Sequence, residues 1–206
     1  MWQMFKKKDT YILGLFMGAF FTYIGTSVFI PTYLGHAISL NQTITLPPPI
    51  SFVFFIVEMV MVYLGITVGV WWTGKIKKRR PVMVTGGLGA GLLSLLTHVP
   101  FVLESTIISN VIKILAIFLV CICLSAWTFV IGEVSSQKES GMQIGTILTI
   151  AALIGSLAPI IQGFLFSIDL FEIGWFFSSL MLFIMGICGY FSPETGLKYK
   201  DITADG

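Results

Sequence analysis

The chain has 206 residues, of which 56% are hydrophobic and only 11% charged, and its mean hydropathy is +0.93. A soluble domain of this length cannot hide that much apolar surface. The net charge of +2 reflects where Lys and Arg gather between apolar runs, not a nucleic-acid footprint.

Six apolar runs follow one another, over 11–38, 50–72, 82–99, 106–131, 144–168 and 171–191. A bilayer core about 30 Å thick needs roughly 20 apolar residues in a helix. The third run is just long enough and the others exceed the requirement. Backbone groups in lipid must be satisfied within their own segment, so the runs predict six membrane-spanning helices in an all-α membrane protein with no soluble domain.

The first run follows Lys6, Lys7 and Lys8 but is too long for a signal peptide and lacks a small-residue cleavage site. It is followed by Asn41-Gln42-Thr43, a formal glycosylation sequon, and by Pro47-Pro48-Pro49, which stiffens the approach to the second run. The second run carries Glu58 and ends on Trp71 and Trp72, which suit the membrane interface, as does Trp175 at the start of the sixth. The fourth run carries Lys113. Apart from Lys113, all of the 12 Lys and Arg precede the first run, separate the second from the third and the fourth from the fifth, or follow the sixth. Those places share one side of a six-span protein, so both termini are expected in the cytoplasm of a multi-pass cell-membrane protein.

Glycines recur at small-xxx-small spacing within the runs, at Gly14/Gly18, Gly87/Gly91 and Gly141/Gly145, which predicts close helix contacts. Cys121, Cys123 and Cys188 lie inside runs and read as small core residues; Cys121 and Cys123 point to opposite sides of their helix. The two histidines, His36 and His98, fall near outer span ends. No zinc-protease motif, Cys/His ligand set, phosphate loop or nucleophile elbow is present, so neither an enzyme nor a bound metal or cofactor is expected.

Charges inside hydrocarbon are expensive and mark functional sites by default. Glu58 and Lys113 each lie about 10–12 Å below the outer boundary at 1.5 Å per residue. Matched depth and opposite sign predict an ion pair between the second and fourth spans, serving proton coupling or substrate gating; the alternatives are static helix orientation and a Lys113 that snorkels outward. Tyr23, Asn110 and Gln162 are polar residues within spans that could bond a hydroxylated solute; an interhelical hydrogen bond is the alternative for each.

Three stretches, in order, resemble the major facilitator superfamily, in particular its sugar porters and metabolite–proton symporters. Gly74-Lys75-Ile76-Lys77-Lys78-Arg79-Arg80-Pro81 is similar to the superfamily's basic loop. Gly132-Glu133, then Ser140-Gly141 and a glycine-rich fifth span reaching Gln162-Gly163, is similar to its Gly-Glu…Arg-Gly stretch and the helix after it. Pro193-Glu194-Thr195-Gly196-Leu197 resembles the tail that closes sugar porters. Lys75 stands where the family has a loop aspartate, Ser136 and Ser140 replace a proline and an arginine, and the tail lacks its lysine.

The resemblance implies the carboxyl-terminal six-helix half of a twelve-span transporter, built from two inverted triplets of helices. It implies alternating-access transport of a sugar or small organic metabolite, with a proton as the coupling ion carried by Glu58. It also implies a gating role for Glu133, Arg79 and Arg80, and substrate stacking for Trp127, for which core packing is the alternative. The expected partners are membrane lipid, a small-molecule substrate and a second six-helix bundle, from another chain or a second copy. The competing expectation is a non-transporting remnant, assembly partner or regulator that keeps the bundle but lacks a complete cavity.

Overall fold

The computed structural model describes residues 8–27, 48–98, 106–134 and 140–195. Residues 28–38 of the first apolar run, His36, the Asn41 sequon, Ser136, Lys138 and the tail lysines Lys198 and Lys200 lie outside the described residues, as does the side chain of Trp175.

All described elements are helices: α1 (Lys8–Ser27), α2 (Pro48–Ile76), α3 (Arg80–Leu96), α4 (Thr106–Val134), α5 (Ser140–Ser167) and α6 (Phe171–Phe191). Each matches one predicted run. Apart from the end of the first run, which lies outside the described residues, the ends differ by a few residues because a helix does not stop at the edge of its apolar stretch. Helix α2 continues a turn past Trp72 to Ile76, and the ammonium of Lys75 lies 4.8 Å from the centre of the Trp71 ring. Three segments are long and apolar enough to cross a membrane: Phe52–Ile76, Ile107–Val134 and Gly141–Ser167. The apolar helices Arg80–Leu96 and Phe176–Phe191 are shorter.

The exposed apolar surface is consistent with a membrane-embedded protein. Helix α2 leaves Phe52, Tyr63 and Trp71 between 61% and 70% exposed, and α5 does the same with Leu153, Ile160 and Phe164, at 63% to 67%. Continuous apolar faces of this kind are not left to water. The core lies between the other helices, where Leu13 and Phe16 of α1, Met83 of α3, Val130 of α4 and Leu182 and Met185 of α6 are all fully buried.

The packing follows a simple rule. The main pairs are α1 with α5, α2 with α4, α3 with α6, α3 with α4 and α1 with α6; α5 touches α6 slightly, and α2 touches α3 slightly. Exchanging the first three helices for the last three maps this set onto itself. The pair α1–α5 becomes α4–α2, α1–α6 becomes α4–α3, and α3–α6 is its own image. Helices α1 and α5 run parallel, since Gly14 meets Ile150, Gly18 meets Ile154 and Gly25 meets Ala158. Helices α2 and α4 also run parallel, Gly65 meeting Cys121 and Gly69 meeting Ser125.

Glycine sets the closest approaches. A Cβ on Gly87 would fall 2.5 Å from the Cα of Gly186, so α3 and α6 cross backbone to backbone there. Gly14/Gly18 and Gly87/Gly91 make the contacts their spacing predicts. Gly141 and Gly145 have nothing within 4 Å among the described residues, so that pair makes no contact with the described helices. Small-xxx-small spacing shows where a helix could approach, not whether one does. Gly65/Gly69, which was not singled out from sequence, is the pair that lets α2 reach α4.

Candidate functional site

Charged side chains meet at two places. The first is a cavity of about 870 Å³ bounded mainly by α1, α2 and α4 and closed at one end by α3 and α6. Helical period builds its walls. On α2, Glu58, Val62, Ile66 and Val70 are spaced four apart and face inward together. On α4 the facing stripe runs from Ser109 and Lys113 to Ser125 and Thr128. Helix α1 adds Phe20, Tyr23 and Ile24, and Ser94, Thr97 and Ser178 close the end nearest the charges. The lining is hydrocarbon and hydroxyl around one carboxylate and one ammonium.

The predicted ion pair is present. Lys113 Nζ lies 3.9 Å from Glu58 Oε2, with the Lys113 side chain 39% and the Glu58 side chain 27% exposed. This is longer than the roughly 2.7–2.9 Å of a tight charged hydrogen bond. The pair is therefore loose and faces open space, which leaves both groups able to meet a third partner.

Hydroxyls in the cavity differ in availability. Ser125 and Thr128 donate back to the carbonyls of Ile122 and Ser125 on their own helix. Ser94 Oγ lies 2.7 Å from Ser179 Oγ. Ser178 is buried, and its Oγ has no hydrogen-bond partner among the described residues.

Three predicted solute-binding residues lie elsewhere. Trp127 is buried; its indole N–H donates to the carbonyl of Leu13 at 3.2 Å, and its ring stacks on Phe16 at 6.2 Å. That ring holds α1 to α4 and does not line the cavity. Gln162 is fully buried in α5 beside Gly174, away from the cavity lining, and neither of its polar side-chain atoms has a partner among the described residues. Asn110 is half-buried on α4 and also absent from the lining. Tyr23 does line the cavity. Of the neighbouring cysteines, Cys121 faces it, while Cys123 points away to α3 and donates to the carbonyl of Met83.

The second place is the opposite end of the bundle, where the basic loop between α2 and α3 folds down. Arg79 grips Glu133 with two nitrogens: Nε reaches both carboxylate oxygens at 3.2 Å and Nη2 reaches Oε1 at 2.5 Å. Its Nη1 donates to the carbonyl of Thr73 at 2.7 Å, and its guanidinium lies over the Phe129 ring. Thr195 donates its hydroxyl to Glu133. Both members of the ion pair are nearly buried, with side chains 12% and 11% exposed.

Glu194 completes this network. Arg79 has no side-chain cap to offer to helix α3. The Glu194 carboxylate instead accepts the backbone N–H of Arg79 at 2.7 Å and that of Arg80 at 3.2 Å. A carboxylate at a helix N-terminus satisfies otherwise free donors and meets the positive end of the helix dipole. Arg80 reaches in the other direction, donating Nε and Nη2 to the carbonyl of Ser192. The three stretches that carried the family resemblance therefore meet at one point: Arg79 and Arg80 from the first, Glu133 from the second, Glu194 and Thr195 from the third. Among the described cations, Arg79 is the one that pairs with Glu133.

No family model, curated protein or solved structure matches this chain.

Proposed function

We propose that the chain is one half of a secondary active transporter of the major facilitator type: six membrane-crossing helices, both termini cytoplasmic, supplying one wall of a solute path. The observation that carries this reading is the cavity, in which the loose Glu58–Lys113 pair sits within an otherwise apolar bundle. An intramembrane charge pair is costly to keep and marks solute or ion pathways. Two further observations support it. The packing pattern is unchanged by exchanging the two triplets of helices, as expected of an inverted repeat. The three motif stretches converge on one charged network at the basic end, where such a fold would hold one conformation shut.

Alternating access needs two bundles rocking about a shared site. The exposed apolar faces of α2 and α5 are where the second bundle would sit, as another chain or a second copy. Lys75, in place of the family's loop carboxylate, favours the competing reading of a non-transporting partner. The deciding measurement is the protein mass of the complex purified from its native membrane, by light scattering corrected for detergent. A mass near two bundles, followed by solute uptake after reconstitution, is expected. A lone 22.7 kDa chain would overturn the transporter reading in favour of the partner or regulator.

A further inference from the structure

The cavity lining discriminates between solute classes. A sugar is held through many paired donors and acceptors, commonly amide side chains, together with an aromatic face. Neither amide nor tryptophan lines this cavity. Trp127, Asn110 and Gln162 all lie outside the lining, whose aromatic rings are those of Phe20 and Tyr23. Besides these rings and the serine and threonine hydroxyls, the lining offers branched alkyl surface, from Val62, Ile66, Ile117 and Val120.

Charge compensation narrows the class further. With the cavity empty, Glu58 and Lys113 compensate each other at 3.9 Å. A neutral solute leaves that pair as it is and gains nothing from it. A monoanion that takes Lys113 strands the Glu58 carboxylate inside the bundle, and a monocation that takes Glu58 strands Lys113. A stranded charge in low dielectric is heavily penalised. A solute carrying one carboxylate and one ammonium on the same carbon re-pairs both. Its two charges lie close together, as Glu58 and Lys113 do. Exchanging one loose pair for two tighter ones strengthens both contacts without moving a proton.

We infer that the cavity takes a zwitterion with an apolar body, of the class of branched aliphatic α-amino acids. The carboxylate meets Lys113, the ammonium meets Glu58, and the alkyl body lies against Val62, Ile66, Ile117 and Val120. This assignment rests on reading the cavity as a solute path.

The test is equilibrium binding of labelled leucine to the full chain, purified with whatever accompanies it and held in lipid nanodiscs. Competitors are 4-methylpentanoate (leucine without its amine), 3-methylbutylamine (leucine without its carboxylate), glucose and lactate. Leucine is expected to bind, and each single-charge analogue to compete at least ~10-fold more weakly, the loss of one charged hydrogen bond. Glucose and lactate are expected not to compete. Glu58→Gln and Lys113→Met should each weaken leucine binding by at least ~10-fold; because either could misfold, the panel on the unaltered protein decides. Direct binding of glucose, of lactate or of 4-methylpentanoate as tight as that of leucine would overturn the zwitterion assignment and leave the cavity a solute path. Binding of none of the five would overturn both.

Discussion

Glu194 places one carboxylate oxygen 2.7 Å from the backbone nitrogen of Arg79, across 115 positions of sequence, and so caps a helix whose own residues supply no cap. The contact ties the segment after α6 to the start of α3, while the Arg79 side chain ties the same point to α4 through Glu133. Three helix ends depend on two carboxylates.

Glu194→Ala should therefore destabilise the bundle by about 1–2 kcal/mol, the range for a lost cap with its dipole contribution. Glu194→Gln keeps an acceptor and should lose less. Thermal unfolding in detergent measures both. An unchanged midpoint for Glu194→Ala would mean that water or another group serves the helix end equally well.

Arg79 and Glu133 are nearly buried, so removing one partner leaves the other charge stranded. Glu133→Ala is expected to cost about 3–5 kcal/mol. Arg79→Lys should also be costly, because an ammonium cannot hold both carboxylate oxygens and the Thr73 carbonyl in one plane. The double variant Arg79→Met with Glu133→Leu should recover much of the loss, since no charge is then stranded. A double-mutant cycle showing simple additivity would contradict direct coupling between the two side chains.

Helix α2 touches the rest of the bundle through a narrow strip. Gly65 and Gly69 lie against the α4 backbone, and a Cβ on Gly65 would fall 2.6 Å from the carbonyl oxygen of Phe118. Gly65→Val should push α2 away, at a cost of about 1–3 kcal/mol, and enlarge or open the cavity. Gly145→Ala, where nothing is near among the described residues, should be neutral or slightly stabilising. Equal protease sensitivity of the two variants in nanodiscs would count against this placement of α2.

Much of this arrangement can be read from the chain because a bilayer makes departures from apolarity conspicuous. Glu58 and Lys113 stand out as single charges in long apolar runs, and equal depth is enough to pair them. The opposed directions of Cys121 and Cys123 follow from helical geometry alone. Other features depend on which helix lies beside which, and a single sequence does not contain that. Trp127 reads equally well as a stacking platform or as a packing ring until Leu13 and Phe16 are placed next to it. Gly65/Gly69 and Gly141/Gly145 have the same spacing, and among the described residues only the first has a neighbour. Glu194 was visible as part of a motif, but its task requires the N-terminus of α3 to be 115 residues away in sequence and hydrogen-bonded in space.

Glu58 has two possible partners, and one variant separates them. If it carries a coupling proton and never touches solute, Glu58→Gln imitates the protonated state, so exchange continues while gradient-driven uptake stops. If it holds a substrate ammonium, the amide retains a weak acceptor but no charge, so both uptake and exchange of leucine fall together, by at least ~10-fold. The geometry favours the second outcome, because Glu58 and Lys113 face the same open volume 3.9 Å apart and neither is sealed from it. Reconstituted vesicles preloaded with unlabelled leucine measure exchange, and a pH gradient across empty vesicles measures uphill uptake. Preserved exchange with abolished uphill uptake would return Glu58 to the proton and leave Lys113 as the sole charged contact to solute.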